Sequence, residues 1–185
     1  MTETLRSGSS NWDGYNSDLP IGTVKDPMET YGTRDEDEKN MVNRLTHANG
    51  MEAEALKSDI QNLPPEAIAK IISLRFKHTA NALDDRGSDK REIGRDMYLD
   101  LSIIAATLDS DKDIPDMDIS QYMGEEDMRG IPGVLDAYEE KVKESGKNIV
   151  LIDAFGGADQ QPKSALEVIG AMKASIEKPV DNTEG

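Results

Sequence analysis

Two apolar stripes joined by a short turn constrain this chain more than anything else in it. Ile68, Ile71, Ile72, Phe76, Ala80 and Leu83 recur largely at intervals of three and four, which places them on one face of an α-helix. Asp84, Asp85, Arg86, Gly87 and Ser88 read as a turn. Ile93, Met97, Leu101, Ile104 and Leu108 then repeat the pattern, with Tyr98 and Ala105 widening the second face. A helix cannot bury such a face alone, and a turn this short brings the second helix back antiparallel. The sequence therefore predicts an αα-hairpin over 65–108 as the centre of the core. Pro65 sits in a first turn, where the missing amide costs nothing.

The flanks continue the helical pattern. Met41, Leu45, Ala48, Leu56 and Ile60 keep helical spacing behind Asp35, Glu36, Asp37 and Glu38, acids that suit the positive end of a helix dipole. Asn49 and Gly50 divide that stretch, and Pro64 and Pro65 stop it. Residues 109–130 read as an acidic connector that Ile131, Pro132 and Gly133 end. Leu135, Tyr138 and Val142 predict a helix over 134–145, with Gly146 past its end. Ser164 and Glu167 predict a capping box for a last helix lined by Leu166, Ile169, Met172 and Ile176. Residues 148–153 (NIVLID) form the one convincing strand. Its backbone needs a partner if buried: segment 20–24, with Pro20 at an edge position, a strand of another copy, or none. The expected fold is mainly α, an irregular bundle of about five or six helices with an αα-hairpin core. At most one or two short strands and an extended N-terminal arm complete it. The expected organisation is an acidic arm over 1–35, a helical domain over 36–178 and a C-terminal tail over 179–185.

Composition narrows the function. Hydrophobic residues, Gly not counted, make up 36% of the 185, below the ~45–50% of ordinary globular chains, a figure that also counts Gly. That supports one core of about 100–130 residues rather than the whole length. No apolar run approaches the ~18–20 residues of a membrane span. The start lacks a basic region followed by an apolar stretch, so no secretory signal is expected. The chain has no Cys, which removes disulfides, thiolate zinc sites and Cys nucleophiles. The expected setting is the cytoplasm, or a particle assembled there. A net charge of −16 opposes phosphate backbones and anionic membranes. Lys90, Arg91, Arg86 and Arg95 form only a local basic patch. Direct nucleic-acid and membrane partners are therefore not expected; protein partners, the chain itself among them, are.

The residues that carry chemistry give incomplete patterns. Asp109, Asp111 and Asp113 have the rhythm that opens a calcium loop, but Ile114 stands where the turn needs Gly and Ser120 where the bidentate Glu belongs. No metal and no cofactor are expected. Glu92, Asp96 and Asp100 lie one helical turn apart, and Glu139, Glu140 and Glu144 offer acids on another helix. The stretch from Glu92 to Leu108 resembles one metal helix of the all-α nucleotide pyrophosphohydrolases, which hold magnesium and a triphosphate between acidic helices. It departs from their pattern in its four-residue gap and in the missing Glu-Glu pair on the preceding helix, which carries Arg75, Lys77 and His78 instead. Surface ion pairing accounts for the same acids. His47 and His78 lack a neighbour at metal-ligand spacing. Strand 148–153 with Gly156 and Gly157 resembles a phosphate-binding turn only superficially, because both glycine-rich fingerprints are missing.

The first 35 residues hold the only Trp and two of the five Tyr. A merely solvating tail is poor in aromatics. Trp12, Tyr15, Leu19, Ile21 and Tyr31, spaced without a period, are the candidate partner-binding residues, anchors that dock on another surface. The expected function is non-enzymatic: an acidic structural or interaction protein of a larger assembly, such as a virus particle, whose arm clasps neighbours. The alternatives are a nucleic-acid-mimicking regulator or inhibitor and a metal-dependent phosphohydrolase with acids on helices.

Overall fold

The computed structural model describes residues 36–48, 50–119, 128–157 and 161–177, all within the unit Thr33–Gly185. Among them the chain is mainly α, with six helices: α1 (Glu36–Thr46), α2 (Ala53–Asn62), α3 (Pro65–Asp84), α4 (Lys90–Leu108), α5 (Ile131–Ser145) and α6 (Ala165–Ile176). Four two-residue strands complete it: β1 (Met117–Asp118), β2 (Met128–Arg129), β3 (Val150–Leu151) and β4 (Lys163–Ser164). The break between α1 and α2, the hairpin and the capping box stand where the sequence puts them. The arm over 1–35, with Trp12, Tyr15, Leu19, Ile21 and Tyr31, lies outside the described residues, as do the tail residues 179–185.

The predicted hairpin is the centre of the core. α3 packs on α4, α5 and α1, and α4 also packs on α2, β3 and α6. Ile68, Ile71, Phe76, Met97 and Ile104 are buried. The Phe76 ring meets Tyr138 of α5 edge-on at 4.8 Å, the arrangement that aromatic quadrupoles favour.

Three helix ends are closed by a cation from far along the chain; α2 and α3 have no basic residue in their own last turns, and Arg44 in the last turn of α1 pairs with Asp59 instead. The Arg75 guanidinium donates to Leu45, Thr46 and Ala48 carbonyls at 3.2–3.3 Å, closing α1. Lys112 Nζ donates to Gln61 O at 2.7 Å and to Leu63 O, closing α2. Lys147 Nζ donates to Ala82 O at 3.1 Å and to Asp85 O, closing α3. Each satisfies carbonyls that the helix leaves open and sits at its negative end.

Three expectations need correction. α5 starts at Ile131, not 134, because Pro132 occupies the tolerated first turn. The acidic connector is anchored: Met117 and Ile119 are buried, and β1 pairs with β2 antiparallel, Met117 opposite Arg129. The strand expected over 148–153 shrinks to Val150–Leu151, and its partner among the described residues is Lys163–Ser164; segment 20–24 lies outside them. Two more backbone groups of 148–153 are met by helices. Ile152 N donates to Gly94 O of α4, and Ala165 N of α6 donates to Ile149 O.

Candidate functional site

The row of acids on α4 is split up by the fold. Glu92 is exposed. Asp96 Oδ2 lies 3.3 Å from His78 Nε2 on the surface of the hairpin, and the hydrogen bond to Asp96 raises the His78 pKa above 6.5. Asp100 is buried. Its Oδ1 accepts from Arg75 Nε, and its Oδ2 accepts from Thr79 Oγ1 at 2.5 Å and from the Tyr138 hydroxyl at 2.8 Å. Burial, then the Asp100 charge, push the Tyr138 phenol well above its ordinary value. Burial works against the charge on Arg75, but Asp100 outweighs it and the Arg75 pKa is raised. With Arg75 also holding the end of α1, this cluster is an internal lock joining α1, α3, α4 and α5. Surface ion pairing, the reading from sequence, is thus corrected for Asp100. Its partners stand 21 to 38 positions away along the chain, so spacing along α4 carries no sign of them.

Among the described residues, no three His, Asp or Glu side chains gather as metal ligands do. Asp109, Asp111, Asp113 and Asp116 are exposed on the loop after α4. Asp111 takes a left-handed conformation, φ 53°, which Asp tolerates better than most residues.

The open chemistry lies on α6. Only Ala165 and Ile169 of this apolar helix are buried. Leu166, expected to face inward, is 37% exposed, and Val168, Met172 and Ile176 are only half covered. A cleft of about 450 Å³ separates α6 from α4 and the β3–β4 connection, lined by Tyr98, Leu101, Leu151, Ile152, Val168 and Met172 among others. A second depression on α6 has Lys163, Val168 and Met172 in common with it; the cleft and this depression are together termed the trough of α6.

The polar rim of the trough is fixed by local bonds. Asp153 Oδ1 accepts from Phe155 N at 2.8 Å and Oδ2 from Gly157 N at 2.9 Å. Gly156, at φ 79°, supplies the turn between them, a conformation that glycine adopts without strain. The Tyr98 ring packs against Phe155 at 5.7 Å. Partial burial, then the Asp153 charge and hydrogen bond, raise the Tyr98 pKa. Glu167 turns back to accept from Ser164 N at 3.2 Å. Lys163 is exposed at the rim. Sequence reasoning placed Met172 inward and passed over Val168 and Lys163. The signal available was the near-continuous apolar character of α6, which exceeds what one buried face requires. No protein-family model matches this chain, and no curated protein and no solved structure shows significant similarity to it.

Proposed function

We propose that this chain is a non-enzymatic structural or interaction protein of a larger assembly, such as a virus particle, and that residues 1–35 clasp its neighbours. The observation that carries the reading is the trough on α6, an open apolar surface beside a domain whose buried charges are locked together. Clefts of this size and lining bind apolar groups. The segment 1–35 supplies such groups. Ordering a residue costs about 1–2 kcal/mol in backbone entropy. Burying one aromatic side chain, with ~150–250 Å² at ~25 cal/mol per Å², returns roughly 4–6 kcal/mol. One aromatic thus offsets about three ordered residues. Between Trp12 and Ile21 four anchors share ten positions, a density at which an extended segment holds its place once docked. The test is deletion of residues 1–33, with circular dichroism for folding and co-purification for assembly. A folded domain that no longer joins its complex supports the reading. Unchanged assembly removes it.

A second reading, an acidic regulator that imitates nucleic acid, draws on the four exposed aspartates after α4. Salt separates the two: a mimic loses affinity steeply as ionic strength rises, whereas apolar docking does not.

A further inference from the structure

We infer that the trough along α6 receives the N-terminal segment of a second copy of this chain: Trp12 or Tyr15 seats against Val168 and Met172, and a neighbouring carboxylate, Asp13 or Asp18, pairs with Lys163. The inference rests on the reading that residues 1–35 clasp neighbours, and it names the surface they clasp. Three observations lead to it. The trough floor is apolar, through Leu101, Leu151, Val168 and Met172. Of the charged side chains lining it, Asp153 and Glu167 are engaged by backbone amides. Lys163 is exposed and has no ion pair among the described residues. An occupant that fits is therefore apolar with an adjacent anion. The chain carries that chemistry in Trp12 beside Asp13 and in Asp18 beside Leu19. Copies at −16 each repel one another, so docking between them favours a seat where a carboxylate meets a cation. Trp12 and Tyr15 stand 24 and 21 positions before Glu36, the start of α1, an extended reach of at most about 70–80 Å, which is enough for a neighbouring domain.

Trp12 is the only tryptophan, so the emission of the full-length protein reports this segment alone. It is followed over a concentration series together with sedimentation velocity. The expected result is a blue shift that rises in step with the sedimentation coefficient. Met172→Asp abolishes both. Lys163→Glu, at an exposed position that leaves the helical circular dichroism intact, raises the midpoint concentration about tenfold or more. Adding Asp13→Lys and Asp18→Lys to Lys163→Glu restores association. A monomer with unshifted emission at every concentration overturns the inference, and so does a blue shift independent of concentration. Association that Trp12→Ala with Tyr15→Ala removes, but that neither trough variant affects, overturns only the choice of surface. Association untouched by Trp12→Ala with Tyr15→Ala overturns the underlying reading as well.

Discussion

Asp100 ties α4 to α3 and α5, because Arg75, Thr79 and Tyr138 all meet on its two oxygens. Removing its charge leaves the buried Arg75 guanidinium without an ion pair. Asp100→Asn is therefore expected to destabilise the domain by about 3–5 kcal/mol. Tyr138→Phe removes one hydrogen bond to a charged group and should cost about 1.5–3 kcal/mol. Urea unfolding of both variants checks the order; equal effects would mean that the cluster is not ion-paired in solution. Phe76 and Ile104 belong to the same scale, with exposures of 0% and 1%. Their truncation to Ala should cost about 2–5 kcal/mol each. The burial of these two was legible in the sequence, because the helical period alone turns them inward. The burial of Asp100 was not, because its cause is Arg75 and Tyr138 on other helices.

Among the elements, the helices were legible and their junctions were not. Period, Pro and Gly mark where each helix runs. The cations that close α1, α2 and α3 come from distant positions, and β4 is two polar residues whose pairing only the fold reveals. Gly94 shows how tight one junction is. A Cβ there would stand 2.2 Å from Val150 O of β3. Gly94→Ala gains about 1 kcal/mol of helix propensity, yet forcing β3 off α4 should cost about 1–3 kcal/mol. The net loss should appear in thermal unfolding together with a displaced Ile152 amide resonance. The α5–α6 junction is ionic. Lys173 Nζ lies 2.5 Å from Asp136 and 2.6 Å from Glu139. Hydrogen bonds from Lys143 and Lys173 hold the Glu139 carboxyl at about 2, below the usual 4.5. A depressed carboxyl pKa contributes stability in full above 4.5, and that contribution is lost as pH falls towards 2. Carboxyl NMR should find Glu139 titrating at the bottom of this window, with α6 loosening in parallel. Glu139→Gln should remove that part of the acid dependence.

At the scale of the whole molecule, the chain combines a locked helical domain with an incompletely covered apolar helix. The sequence shows that α6 is apolar, but periodicity cannot say which of its faces finds a partner inside the fold. It shows anchors in residues 1–35, but not the surface that meets them. The central claim is that these residues become ordered on a neighbour. Hydrogen exchange of the amides between Trp12 and Tyr31, measured on the isolated chain at low concentration and on the complex purified intact, tests it most directly. Exchange slowed many-fold in the complex, and not in the isolated chain, is the predicted result. Equal rates in the two would contradict it.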